Sequence, residues 1–165
     1  MNLDDDGREW ELVWQDEFSG DVIDSIKWGY DTGGNGFGNN ELQYYSDRPD
    51  NSYVEDGHLV IVAQEERYRL RDYTSAKLWT PATMSLRYGR IDIRAQLPQG
   101  QGIWPAFWML PAQNRYGGWP SSGEIDIMEL VGHLPATVYG TLHYSSDTFG
   151  SHEYTGDSYT LDEGI

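Results

Sequence analysis

Hydrophobic and polar residues alternate along several short stretches of the chain, and each stretch ends at a cluster of Gly, Asn, Asp or Pro. Alternation with a period of two is typical of β-strands with one buried face, whereas a period of 3.6 residues indicates a helix. No stretch longer than two turns shows the helical period. The predicted strands cover residues 11–18, 58–66, 85–97, 103–110, 124–131 and 137–144. This pattern predicts an all-β fold, an antiparallel β-sandwich.

The alternation also predicts how these strands are arranged. It is clearest in residues 85–97, while residues 103–110 place Trp104 and Trp108 on one face and apolar residues on the other. The loop GHLPA is short enough to join 124–131 and 137–144 as a hairpin. Two glycine-rich stretches that carry aromatics, 33–57 and 111–123, are predicted to be loops. Because no repeat or linker interrupts the chain, residues 1–165 are predicted to form a single domain.

Composition narrows the classes of partner. The 165 residues include no cysteine, so no disulfide framework is expected. The net charge of −16, from 27 acidic and 11 basic residues, repels phosphate backbones and argues against a nucleic-acid partner. Apolar runs are only a few residues long, which argues against a membrane-spanning segment. A neutral polysaccharide is compatible with this charge.

Three carboxylates lie in the predicted strand at 124–131. Glu124 and Asp126 would share one face, whereas Glu129 in a regular strand would point the other way, with Ile125 and Ile127 into the core. A β-bulge near 127–128 adds one residue and would return Glu129 to the face of the other two carboxylates. The misplaced glutamate therefore predicts a bulge after Asp126.

Three carboxylates in one row repel one another, so at least one pKa should rise. Retaining glycoside hydrolysis needs this combination, because one carboxylate must be an ionised nucleophile and another a protonated acid. Two other interpretations stay open at this point. The row could be a solvated acidic face, or it could belong to a metal site, since His133 and His143 are near in sequence. Three carboxylates without closely spaced histidine ligands suit a hard cation better than zinc.

Aromatic and amide side chains add a second pattern. Trp104 and Trp108 would form stacking platforms for sugar rings, with their indole N–H groups free to bind hydroxyls, unless both are core residues. Trp119 is predicted on a loop, where a large aromatic indicates binding. Asn40 and Arg90 are candidate polar contacts, although, taken individually, a turn residue and a surface charge are the better explanations.

The phrases EIDIME, GIWPAFWML and GNNELQYY together resemble glycoside hydrolase family 16, and most closely its laminarinase-like members, the endo-β-1,3-glucanases. Further phrases, LVWQDEF, RDYTSAKL, YGRIDIRAQLP, GWPSSGEIDIMELVG and TVYGTLHY, follow in the family's order from about residue 10 to residue 145. The resemblance implies a β-jelly roll with a concave glycan-binding cleft, a secreted protein and a β-glucan substrate. The spacing ExDxxE resembles that of the β-1,3-glucanases, many of which also accept mixed linkages, rather than the ExDxE of lichenases.

The resemblance also implies roles for individual residues. Glu124 matches the nucleophile, Glu129 the acid/base and Asp126 the assisting aspartate between them. The implied substrate-binding residues are Asn40, Arg90, Trp104, Trp108, Trp119 and His143. No cofactor is implied for catalysis, but Glu17 and Gly57 match two contributors to a structural calcium site.

The family's domains are longer than 165 residues, which leads to an expectation about the end of the chain. We expect the C-terminal strands to be missing, or to be supplied by a further segment or another copy. Two alternatives to an active glucanase therefore stay open, a non-catalytic glycan-binding module and an inactive fragment of the enzyme.

Overall fold

The structure is a computed structural model that describes residues 7, 9–146 and 150–161. The chain divides into two compact units, Met1–Met84 and Ser85–Ile165. Apart from one 3₁₀ turn at Ala82–Met84, the elements are strands, as the alternation predicts. Among the described residues, no helix is long and apolar enough to cross a bilayer.

The first unit contains seven short strands in three small sheets. They are β1 (Gly29–Asp31), β2 (Gln43–Tyr45), β3 (Ser52–Glu55), β4 (His58–Ile61), β5 (Gln64–Tyr68), β6 (Arg71–Ser75) and β7 (Lys77–Trp79). The sheets have the strand orders β1-β7, β2-β6-β5 and β3-β4. All their pairs are antiparallel except β2 with β6, which is parallel and departs from the prediction.

The β3–β4 hairpin shows how local sequence determines a turn. Glu55 pairs with His58, so Asp56 and Gly57 form a two-residue loop. Both have positive φ, +49° and +74°, as the Asp-Gly hairpin turn requires. The prediction that 33–57 is a loop was therefore wrong for β2 and β3, whose short strands show little alternation.

The second unit contains one four-stranded antiparallel sheet. Its strands are β8 (Ala106–Met109), β9 (Glu124–Leu130), β10 (Thr137–Ser145) and β11 (His152–Thr160), in the order β11-β10-β9-β8. The predicted hairpin between β9 and β10 is confirmed. Exposure alternates through residues 103–110 as predicted, with Trp104 and Trp108 on the more exposed face. Leu130 is 1% exposed and anchors the apolar side of β9.

Three strand predictions were wrong in part or in whole. Residues 11–18 and 85–97 form no strand, and the predicted strand at 58–66 is divided into β4 and β5. Leu12 is 68% exposed and Ile93 is 44% exposed, so neither stretch buries its apolar face. Alternation indicates which face could be buried, but a strand also needs a neighbour to accept its backbone hydrogen bonds. In the described part of the chain, neither stretch has a ladder partner.

The apolar side chains of β9 do not pack as expected. Ile125 is 46% exposed and Ile127 is 37% exposed, although both were predicted to point into a core. The second unit forms a single sheet over its described residues, so no second layer of that unit covers this face. On the acidic face of the same strand, by contrast, Asp126 is only 5% exposed.

Candidate active site

The register of β9 contains the predicted bulge. On β8, Trp108 pairs with Asp126 and Phe107 pairs with Met128, so Ile127 has no partner there. On β10, the pairing shifts by one residue between Asp126 and Glu129. Two residues of β9 thus oppose one residue of each neighbour, which is the definition of a bulge. The prediction of a bulge after Asp126 is confirmed.

The bulge brings the three carboxylates to one face of the sheet. Directly opposed residues of antiparallel strands project to the same side, so the pairs reveal this face. His143 of β10 opposes Glu124, Thr141 opposes Asp126, and Tyr139 opposes Glu129. Met128 instead pairs with Phe107 and joins the apolar side with Leu130. Glu129 therefore projects to the same face as Glu124 and Asp126, and the structure does not place it in a core.

Two tryptophans hold the two glutamates. Trp104 Nε1–H donates to Glu129 Oε1 at 3.0 Å, and Trp119 Nε1–H donates to Glu124 Oε2 at 2.8 Å. Each bond fixes the orientation of one carboxylate group. The expectation that the indole N–H of Trp104 is free for sugar hydroxyls was wrong in this structure, because a nearby carboxylate is a stronger acceptor than a hydroxyl. Both rings stay about half exposed.

The pKa values of two carboxyl groups are raised. Burial raises the pKa of Glu129, and the neighbouring charge of Asp126 adds to it, while the Trp104 hydrogen bond and His143 partly oppose the rise. Burial also raises the pKa of Asp126, with a further contribution from Glu124 and a partial offset from His143. The expectation that at least one carboxyl in the row has a raised pKa is confirmed. Glu129 has the property that a general acid needs.

A pair of histidines stands beside this row. His143 Nε2 lies 3.0 Å from Asp126 Oδ2, and His143 Nδ1 lies 2.8 Å from His152 Nε2. His152 also contacts the ring of Trp119, with ring centroids 4.5 Å apart. Sequence reasoning found His143 but missed His152. The available signal was that both histidines flank one loop, so a hairpin with Ser145 opposite His152 brings them together.

A concavity of about 290 Å³ opens at the acid/base candidate. Its lining consists of Trp104, Glu129, Val131, Tyr139 and Thr141. Aromatic and apolar walls around one carboxyl group are typical of sugar-binding sites, because sugars present apolar faces together with hydroxyl edges.

The sequence of residues 39–162 matches the family described as Glycosyl hydrolases family 16. The chain belongs to that family. It is 53% identical over 143 residues to the beta-glucanase of Rhodothermus marinus, covering 84% of this chain and 50% of that protein. It is 46% identical over 143 residues to the glucan endo-1,3-beta-glucosidase of Cryptopygus antarcticus, covering 83% of this chain and 52% of that one.

A solved family 16 structure gives the same result for the fold. The laminarinase catalytic domain of Thermotoga maritima superposes with a TM-score of 0.83 and 44% identity, over 96% of this chain and 65% of that one. This match confirms the predicted all-β jelly roll. The chain spans about half the length of the two relatives named above. The concave cleft and the single-domain organisation stay predictions.

The other residues predicted to bind substrate in this family 16 chain lie in three different settings. Trp108 opposes Asp126 and therefore lies on the carboxylate face. Arg90 is outside any strand, and its Nε–H donates to Asp92 at 2.8 Å. Asn40 belongs to the first unit, where it occupies a turn with φ of +55°. Its predicted role in substrate binding stays a prediction.

Two sets of residues are candidates for binding a metal ion. Glu17 and Gly57 of the predicted calcium site are both exposed. Among the described residues, the acidic and histidine side chains that converge are Glu124, Asp126 and His143, with one donor atom from each within 4.8 Å of the others. Glu17 lies outside this cluster, and the structural calcium site to which it and Gly57 would contribute stays a prediction.

Proposed function

We propose that this chain carries the catalytic centre of a retaining endo-β-1,3-glucanase that acts on laminarin-type β-glucan. The observation that carries the proposal is the bulge in β9, which aligns Glu124, Asp126 and Glu129 on one face and leaves Glu129 with a raised pKa. The linkage follows the names of the relatives and the spacing of the carboxylates. Mixed-linkage β-1,3-1,4-glucan is a second substrate within this proposal.

In the first step, Glu124 attacks the anomeric carbon and forms a glycosyl ester, while Glu129 gives its proton to the departing glycosidic oxygen. In the second step, Glu129 removes a proton from water, which attacks the same carbon and releases Glu124. The N–H of Trp119 orients Glu124 for the attack. Asp126, buried between the glutamates, contributes the charge that helps to keep Glu129 protonated.

The direct test removes the nucleophile. Glu124→Gln keeps the shape of the side chain but cannot form the ester, so laminarin hydrolysis should fall by about 10³-fold or more. Glu65→Gln on the exposed face of β5 is the matched control and should keep full activity. Reducing ends released from laminarin give the measurement, and circular dichroism confirms that both variants fold.

Each result has a defined meaning. Unchanged hydrolysis by Glu124→Gln would show that the nucleophile is wrong. A wild-type chain that binds laminarin in a calorimetric titration, yet releases no reducing ends, would favour the glycan-binding module instead. Neither binding nor hydrolysis would favour the inactive fragment.

Two further parts of the proposal rest on the family resemblance alone. One is secretion, since an extracellular polysaccharide is cleaved outside the cell. The other is a structural calcium ion to which Glu17 and Gly57 contribute, as a stabilising rather than a catalytic group.

A further inference from the structure

Two carboxylates of the catalytic row, together with His143, also form a set of possible metal-ligand atoms. Glu124, Asp126 and His143 each direct one ligand atom into a common space, and these atoms lie within 4.8 Å of one another. His143 Nε2 and Asp126 Oδ2 are the nearest pair, at 3.0 Å. In a tetrahedral zinc site the ligand bonds are about 2.0–2.2 Å long, so donor atoms lie roughly 3–4 Å apart. The spacing is therefore close to that of a metal site.

One oxygen of the buried Asp126 carboxylate lacks a hydrogen-bond donor. The residue is 5% exposed, and its Oδ2 receives no hydrogen bond from any residue that the structure describes. His143 Nε2 is near enough to donate, but its direction does not meet hydrogen-bond geometry. A buried carboxylate oxygen without a donor is costly, and such groups in native proteins call for a ligand, water or ion. A cation between these two atoms would satisfy both.

Neighbouring side chains orient two of the three donors, His143 and Glu124, as the outer shell of a metal site does. His143 Nδ1 shares a hydrogen bond with His152 Nε2 at 2.8 Å. With the proton on His143 Nδ1, the lone pair of His143 Nε2 faces Asp126. Trp119 donates to Glu124 Oε2 and so fixes the orientation of that carboxylate. A ligating histidine in a metal site usually donates its other N–H in this way.

From this geometry we propose that Glu124, Asp126 and His143 bind a divalent transition metal, represented by Zn²⁺, and that the bound ion inhibits the enzyme. One imidazole and two carboxylates, with water in the fourth position, suit Zn²⁺. Calcium prefers six to eight oxygen ligands, so the hard cation considered from the sequence fits less well once His143 is included. The net charge of −16 favours cation uptake at any such site.

The inhibition follows from which lone pairs the metal uses. A Glu124 oxygen that coordinates Zn²⁺ is no longer available to attack the anomeric carbon. This inhibitory part of the inference depends on the proposed function. The binding part depends only on the three side chains and the histidine behind them.

Calorimetric titration of the chain with Zn²⁺ alone tests the binding part, with Co²⁺ absorption as a spectroscopic measure of imidazole coordination. We expect one saturable site. His143→Asn should weaken Zn²⁺ binding more than about tenfold and remove the Co²⁺ signature. His152→Asn changes only the outer partner and should weaken binding by about 10–100-fold. His133→Asn is the matched control, an exposed histidine of the same unit outside the cluster, and should bind as wild type does.

The possible results separate the two proposals. The site would be wrong if the wild-type chain shows no saturable Zn²⁺ binding, or if His143→Asn, shown to be folded by circular dichroism, binds as tightly as wild type. Binding at this site without slower laminarin hydrolysis would overturn the inhibitory role. Zn²⁺ binding by a chain that hydrolyses no glucan at all would support the site and count against the proposed function instead.

Discussion

The carboxylates of the row share their chemistry but differ in their surroundings. Glu129 is flanked by the indole of Trp104 and by a buried charge on Asp126, and its pKa rises. Glu124 is held by the N–H of Trp119 at the other end of the row. Asp126 lies between them, nearly buried, and its own pKa is raised as well. The two glutamates are thus suited to distinct roles by their different burial and by one tryptophan hydrogen bond each.

The hydrogen bond from Trp104 provides a prediction about pH. This bond lowers the pKa of Glu129, so Trp104→Phe, which keeps a ring but removes the N–H, should raise that pKa further. A general acid works only while protonated. The basic limb of the pH profile of kcat/KM on laminarin should therefore move to higher pH in this variant.

The matched control for this shift is Trp119→Phe. Its N–H donates to Glu124 rather than to Glu129, so its removal should lower the rate without moving the basic limb to higher pH. If the basic limb of Trp104→Phe stays where wild type has it, or moves to lower pH, then Glu129 is not the group that limits activity at high pH.

At the scale of strands, the sequence predicts an element well where its partners are close along the chain. β9 and β10 are joined by a short loop, so their alternation and their pairing are encoded together. Residues 85–97 alternate more regularly, yet they form no strand, because alternation does not say which strand will be the neighbour. β11, by contrast, is a strand that the alternation did not predict. All nine of its residues are exposed, so its sequence shows no apolar face.

The candidate site was predictable to a similar degree. The bulge could be inferred because one glutamate was out of step with an otherwise regular pattern. The Trp104 and Trp119 hydrogen bonds could not, since alternation reveals the face of a side chain but not its rotamer. The His143–His152 pair depends on a hairpin whose second strand was invisible to the pattern.

The bulge predicts that one residue of β9 is dispensable for pairing. Ile127 has no partner on β8, and together with Met128 it opposes Gly140 on β10. Its deletion would give a regular strand with the register kept on both sides, and all three carboxylates still on one face. We expect this variant to unfold cooperatively, with a Tm within about 5 °C of wild type, a change of roughly 1–2 kcal/mol. Its hydrolysis of laminarin should fall because the acid/base moves.

Deletion of Ile125 is the matched control, since it removes the same side chain from the regular part of the strand. Here the strand can keep its register at both ends only by losing the bulge, which turns Asp126 to the apolar side; if the bulge is kept, Glu124 turns to that side instead. This control should lose both stability and activity in thermal unfolding and reducing-end assays. If both deletions lower the Tm and the activity equally, Ile127 is not the extra residue of the bulge.

The whole molecule is dominated by negative charge. Its net charge of −16 is spread over 165 residues, and like charges at this density repel one another and destabilise the compact state. The same field has little effect on a neutral glucan, whereas it attracts cations and repels nucleic acid. Stability and substrate binding should therefore respond differently to salt.

Raising NaCl from 0.01 M to 1 M shortens the screening length from about 30 Å to about 3 Å. The repulsion is then largely screened, so the Tm at pH 7 should rise, while KM for laminarin should change by less than about twofold. The matched control is the same titration near pH 4.3, the isoelectric point, where the net charge vanishes and the rise in Tm should largely disappear. An equal rise at both pH values would point to a general salting effect on apolar surface, and a fall at pH 7 would mean that attractive ion pairs outweigh the repulsion.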